Sequence, residues 1–212
     1  VVDFAALGAF IPASLVIILS PGADTFLLLR FAIRQGRSAG FQAMYGILLG
    51  LALVSLLLIS GVGLLVTRLP VALDVLTYLG IGILVFLAFL SLRAARAALL
   101  TPSASPEVPV ADPPGLGNPF RLSLITNITN PKVLIFYLAF FPQFLGTAES
   151  VVWQLVLLSV AFLVFTVIWL VPLVYAASAA KNFFSKRPVA IAMEFSVAAV
   201  FLVLATLLLV RI

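Results

Sequence analysis

The chain has 212 residues, 64% of them hydrophobic and only 9% charged, with a mean hydropathy of +1.32. A soluble domain carries about 25% charged residues, so the composition excludes a water-soluble globular protein and fits an integral membrane protein. Because the chain has no Cys and no His, zinc sites, haem ligands built on these residues, cysteine nucleophiles, Ser-His-Asp triads and disulfides are excluded too, and no cofactor or resident metal is expected. The net charge of +5 sits at the ends of apolar runs, where basic residues set membrane orientation, so it does not imply a nucleic-acid partner.

A helix spanning the bilayer needs roughly 20 apolar residues. Six such runs are predicted, at about 4–29, 41–66, 71–92, 120–145, 151–179 and 188–210, and they leave no room for a soluble domain. The first charged residue is Asp3 and no small-residue cleavage site follows, so the start does not read as a signal peptide; Val1 suggests a trimmed N-terminus.

The first run is interrupted by Ser20-Pro21-Gly22-Ala23-Asp24. Proline frees a backbone carbonyl that lipid cannot satisfy, and a carboxylate in hydrocarbon costs roughly 2.5–3.5 kcal/mol on insertion scales. In the second run Gly46-x-x-x-Gly50 permits close helix approach; Gly36-x-x-x-Gly40 has the same spacing but falls at a span end and reads as a turn. Between the third and fourth runs, residues 99–119 hold Pro102, Pro106, Pro109, Pro113, Pro114 and Pro119, the composition of an extended linker. The fourth run carries a second break, Asn130-Pro131-Lys132, with the opposite charge, and places Gln143 after Pro142 near its outer end. Pro172 predicts a kink in the fifth run, and the sixth contains Glu194.

Nine basic residues (Arg30, Arg34, Arg37, Arg93, Arg96, Arg121, Lys181, Lys186 and Arg187) fall on one side of this arrangement, against Arg68 and Arg211 on the other. The bias puts both termini outside and the proline-rich linker in the cytoplasm. Residues 1–98 and 120–212 then hold three spans each, with 99–119 between them. An odd number of spans per half inserts the halves upside down relative to each other, which is the inverted-repeat plan of many secondary transporters. The expected fold is an all-α integral membrane protein of six transmembrane helices in two inverted three-helix repeats, with helices 1 and 4 broken.

Asp24 lies six residues before Arg30, about 9 Å along a helix from the cytoplasmic charge belt, and Lys132 lies eleven residues after Arg121, about 16 Å from the same side. A lysine stem can bend several ångströms, so the two charges can meet at one depth. One outcome is a structural ion pair, or a Lys132 that snorkels to water. The other is a binding site. Asn130 before Pro131 is an N-cap followed by proline at the first helical position, and Asn127 shares its face one turn earlier. Half-helix N-termini attract carboxylates. A zwitterion needs an anion site and a cation site a few ångströms apart: Asp24 suits its ammonium, and Lys132 or a half-helix N-terminus suits its carboxylate. Asp24 is also the best proton carrier, since a carboxyl group withdrawn from water can trade its charge for a proton. Gln143 is a candidate outer-gate contact or simply interfacial, and Glu194 is a candidate second proton group, though pairing with a basic neighbour at the inner interface is the more expected role.

The stretch SPGADTFLLLRFAIRQGRSAGFQAMYGILLG resembles the first signature of the lysine-exporter (LysE/RhtB-type) amino-acid exporters, and NITNPKVLIFYLAFFPQF resembles their second. The likeness covers nearly the whole chain. It implies export of amino acids or close derivatives across the bacterial cytoplasmic (inner) membrane, driven by proton antiport. It puts Pro21, Gly22, Asp24, Asn130, Pro131 and Lys132 at the central motif positions. Ala23 replaces the family's second proline, Ile83 stands where a tyrosine is usual, and Glu194 falls where a small or apolar residue is expected. The expected partners are an amino-acid substrate, protons and lipid, with a homodimer as the candidate assembly. The alternatives are a transporter of another cargo such as a metal cation, or a membrane-embedded enzyme using Asp24 and Lys132; the absence of His and Cys opposes soft metals, and no supporting partner side chain, metal cluster or nucleotide motif favours an enzyme.

Overall fold

The computed structural model describes residues 2–68, 71–100, 117–184 and 186–211, and their regular structure is entirely helical. In chain order the helices are α1 (Phe4–Leu19), α2 (Ala23–Arg34), α3 (Arg37–Arg68), α4 (Val71–Leu100), α5 (Pro119–Thr129), α6 (Pro131–Phe140), a 3-10 turn over Phe141–Phe144, α7 (Val151–Tyr175), α8 (Ala177–Phe184) and α9 (Arg187–Arg211). Among the described residues, Arg37–Gly61 of α3 and α7 are each long and apolar enough to cross a membrane; α1 with α2, and α5 with α6 and the 3-10 turn, reach that length as bent pairs. The expected third and sixth spans coincide with α4 and α9, which lie along each other. Of the proline-rich linker, residues 101–116 lie outside those described; α5 opens beyond it at Pro119, capped by Asn118, whose side chain accepts from the Arg121 amide at 3.0 Å.

Both helix breaks are local consequences of proline. Ser20 precedes Pro21 and Asn130 precedes Pro131; each is extended, with ψ of 112°, as the clash of the proline ring with the preceding residue demands. The resulting bends are 52° between α1 and α2 and 55° between the two parts of the second pair. Pro172, by contrast, is carried inside α7, which continues to Tyr175 before the chain turns at Ala176 into α8.

The bundle is organised round α3, which packs against α2, α5 and α7. Its small residues set these distances. A Cβ at Gly46 would run into the Phe120 carbonyl of α5, and one at Gly50 into the Asn127 side chain. Where lipid tails are as apolar as side chains, such close approach is what drives helices together. Gly36 makes the expected turn with φ +86°. Gly40 does not share it: it is buried inside α3, where a Cβ would stand 2.8 Å from the Ala32 Cβ and 3.0 Å from Val174 Cγ1. Large apolar side chains of α4 and α9, including Leu79, Phe86, Phe89, Val203 and Leu209, point outward, an arrangement suited to a hydrocarbon solvent.

At the end of the bundle bearing the chain start, a polar clasp joins α1, the 3-10 turn and α7. The Asp3 carboxylate caps α1 by accepting from the Ala6 amide at 2.9 Å, and accepts from the Thr147 amide at 2.9 Å and hydroxyl at 3.1 Å. The wholly buried Gln154 donates to the carbonyls of Asp3 (3.0 Å) and Phe144 (3.1 Å) and accepts from the Asp3 amide at 2.8 Å. Beneath it the Phe10 ring packs against Phe140, Phe141 and Phe144 at centroid distances of 5.4, 5.1 and 5.3 Å. Phe136 and Phe162, 5.2 Å apart, carry this aromatic stack down to the cavity described next.

Candidate functional site

A cavity of about 80 Å³, room for several waters, lies at the two breaks. Gly22, Asp24, Asn127, Asn130 and Lys132 all line it, together with Ser20 and Thr25. Five of the residues expected at a site therefore converge. Pro21 is half-buried at the first break. Pro131 opens α6; its side chain is outside those described. Gln143 is in the 3-10 turn at the far end of α6, away from the cavity lining. The side chain of Ile83 is likewise outside those described, and Glu194, half-buried on α9, lies within electrostatic reach of Lys132.

The two breaks are stitched to each other reciprocally. Asp24, in the first turn of α2, accepts at one carboxylate oxygen, Oδ2, from Asn127 Nδ2 at 3.0 Å and Asn130 Nδ2 at 3.1 Å. Asn127 ends a face of α5 and Asn130 caps α6, so one acid is held by both limbs of the second break. In return, Lys132 Nζ donates to the Ser20 hydroxyl at 3.1 Å and weakly to the Ser20 carbonyl at 3.5 Å. That carbonyl belongs to the end of α1, where the missing proline N–H leaves acceptors unused. Asn130 also works on its own helix: its Oδ1 accepts from the Lys132 amide at 3.0 Å. This is the N-cap with proline at the first position that the sequence predicted.

No hydrogen bond joins Asp24 to Lys132. The second oxygen of Asp24, Oδ1, is buried and has no hydrogen-bond partner, as is Asn127 Oδ1. Asn127 is fixed from behind by Gly50, whose missing side chain makes room for the amide. Two opposite charges thus line one cavity, each bonded to the other's helix break, with one Asp24 oxygen to which no protein group donates. A site of this form can hold a small molecule bearing both an ammonium and a carboxylate.

The sequence alone did not single out Gly50 behind Asn127, nor, in the lining, Ser20 and apolar residues such as Ile17, Ile47, Leu51, Phe136, Phe162 and Leu170. Ser20 was visible only as a member of the proline motif, and Gly50 only as half of a packing motif. The apolar residues carry no signal that separates them from ordinary core.

A helical bundle with outward apolar faces, two broken spans and a charged cavity between the breaks defines a multi-pass membrane protein with an internal polar site. The chain belongs to the LysE type translocator family, whose model matches residues 15–211. It is 28% identical over 176 residues to the membrane protein YrhP of Bacillus subtilis, covering 82% of this chain and 84% of that one. It is 30% identical over 136 residues to a leucine efflux protein of Salmonella typhimurium, covering 64% of this chain and 61% of the relative. A membrane protein of Pseudomonas aeruginosa is 34% identical over 128 residues, which is 60% of this chain and 58% of that protein. No solved structure matches the chain.

Proposed function

We propose that this protein exports amino acids or close derivatives from the bacterial cytoplasm by proton antiport and alternating access, through six spans arranged as two inverted three-helix repeats. The observation that carries the reading is the reciprocal stitch of the two breaks around Asp24 Oδ1, to which no protein group donates. Family membership and relatives that include leucine efflux proteins support an amino-acid cargo. Pairing of α4 with α9, of α3 with α7, and of α3–α5 alongside α7–α1 suits a two-fold relation between the halves.

In this mechanism the substrate ammonium docks on Asp24 Oδ1. Its carboxylate faces Lys132 and the N-terminal ends of α2 and α6, whose dipoles favour negative charge. A proton arriving at Asp24 removes the charge that holds the ammonium, and the cargo leaves. The same proton weakens the amide bonds from Asn127 and Asn130, because a hydrogen bond to a charged acceptor is roughly twice as strong as a neutral one. Occupancy of Asp24 by a proton or by cargo is thereby tied to the geometry of both breaks. Lys132 keeps its Ser20 partners throughout.

The test is efflux from proteoliposomes loaded with labelled amino acids, with and without an imposed proton gradient. The wild-type protein is expected to show efflux stimulated by the gradient, and Asp24→Asn to lose that stimulation. Unchanged coupling in Asp24→Asn would remove Asp24 from the mechanism, and no efflux of any of the twenty amino acids would remove the exporter reading.

A further inference from the structure

Seven aromatic rings in mutual contact fill the way from the cavity to the end of the bundle that bears the chain start. Phe136, Tyr137 and Phe162 line the cavity itself. Behind them, Phe136 meets Phe140 at 4.4 Å and Tyr137 stacks on Phe141 at 4.3 Å. Phe10 comes from α1, whereas the others come from α6, the 3-10 turn and α7. It packs on Phe140, Phe141 and Phe144, and its centroid is 6.5 Å from that of Phe162. None of the seven rings is more than 8% exposed. A passage through this end therefore has to move Phe10 off α6, and with it the part of α1 that carries it.

That part of α1 has its own hinge and its own tie. Pro12 lies inside α1; having no N–H, it leaves the Gly8 carbonyl without its helical donor, and such a missing rung is where helices bend. Gly8 has open space beside it, since an added Cβ would meet nothing within 4 Å. On the cavity side of Pro12, α1 is tied at Ser20 by Lys132. On the other side it is tied by the clasp, whose four hydrogen bonds from Thr147 and Gln154 to this end of the chain all involve Asp3. The clasp has a shaped seat: Gly146 turns with φ +58°, and a Cβ there would run into the Asp3 carboxylate.

Resting on the exporter reading above, which puts this end outside, we infer that the stretch from Asp3 to Ile11 is the outer gate of the transport path, with Phe10 as the plug, Pro12 as the hinge and the Asp3 clasp as the latch. Plug and latch close in different ways. Parting the rings exposes apolar surface to water, which holds the empty gate shut. The latch bonds can be exchanged for bonds to water at small net cost, so the latch can open and close again in each cycle.

The chain has no cysteine, so a single introduced thiol reports on access. Thr166→Cys puts one in the cavity lining. The full chain is placed in lipid vesicles, and a charged, membrane-impermeant thiol reagent is added from the side that bears the chain start. Labelling is expected to be slow, and Phe10→Ala or Gln154→Leu to speed it by about tenfold or more, the scale of losing buried packing or buried hydrogen bonds. If neither variant folds, Thr147→Ala removes one latch bond at an exposed position and makes the same test with a smaller rise. Ala43→Cys, wholly buried near the start of α3, is the control and should stay unlabelled. An unchanged rate at Thr166→Cys, or an equal rise at both thiols, overturns the gate. Efflux provides the second readout. Joining Asp3→Cys to Thr147→Cys with a short cleavable thiol crosslinker is expected to stop amino-acid efflux, and cleaving the linker to restore it; full efflux through the joined protein overturns the gate. Pro12→Ala restores the missing rung and is expected to slow efflux, and an unchanged rate overturns the hinge. If the wild-type protein shows no efflux, the exporter reading fails, and the labelling result still decides whether this end opens as described.

Discussion

The break at Ser20–Gly22 and the break at Asn130–Pro131 bend their helices by similar angles, 52° and 55°, yet they are held in different ways. The second is self-supporting. Asn130 caps α6 with its own side chain, and Pro131 occupies the first position, where its missing N–H costs nothing. The first has no such device: Gly22 makes no side-chain cap, and the polar groups around it are satisfied from across the bundle, by Lys132 at Ser20 and by two asparagines at Asp24. One break is a fixed fitting and the other hangs from it. In a transporter the hanging break is the one whose geometry can follow the charge on Asp24.

Three substitutions break or sharpen this contrast. Asn130→Ala removes the cap of the fixed break and one donor to the dependent break together. It is expected to destabilise the protein by about 1 kcal/mol for the cap and about 1–3 kcal/mol more for the buried carboxylate left short of a donor, read as a fall in unfolding temperature in lipid nanodiscs. Gly50→Ala attacks the support behind Asn127, where a Cβ has no space. Overpacking at such a contact costs about 1–3 kcal/mol, and it should weaken cargo binding in the same preparation because the amide that bonds Asp24 is pushed aside. Gly22→Ala goes to the equivalent position of the dependent break, and there a small effect is expected. The backbone is ordinary extended chain, and the added methyl would meet the Lys132 side chain at 3.8 Å, normal contact; the cost is about 0.5 kcal/mol, the difference between glycine and alanine as caps. A large loss from Gly22→Ala with a small one from Asn130→Ala would reverse the comparison.

The smallest effect lies outside the breaks, at the clasp. The Asp3 carboxyl is held below its usual value of 3.8, chiefly by the backbone N–H of Thr147 and then by that of Ala6. A lowered folded-state pKa means that the stabilisation is fully present above the unfolded-state value and is lost as pH falls through the lower folded-state one. The unfolding temperature of the wild-type protein should therefore fall over that acid window more than that of Asp3→Asn. Parallel acid profiles for the two proteins would leave the carboxylate without a part in the clasp.

Parts of this contrast were legible in the chain. Proline acts on its immediate neighbours, so the extended Ser20 and Asn130, the cap at Asn130 and the bends follow from local sterics. The shared face of Asn127 and Asn130 follows from helical period, and both amides do converge on one atom. Asp24 and Lys132, expected to meet at one depth, line one cavity, but the sequence could not foresee their partners. Lys132 bonds to Ser20, a residue 112 positions away, and that choice depends on how α1 ends against α6. The pairing of Asp3 with Thr147 and Gln154 spans as many as 151 positions, and no local pattern encodes it. Gln143, read from its place beside Pro142 as an outer-gate contact or simply interfacial, lies in the 3-10 turn away from the cavity lining.

The sequence by itself determined the membrane solvent, the positions of both breaks and the identity of the charges beside them, because composition, proline geometry and helix period act over a turn or two. Only the tertiary structure decided which oxygen of Asp24 takes the two asparagine amides, which glycine seats Asn127, and which aliphatic residues line the cavity instead of the core. Those outcomes depend on side chains from different helices coming within about 3 Å of one another, and that is fixed by how the helices pack.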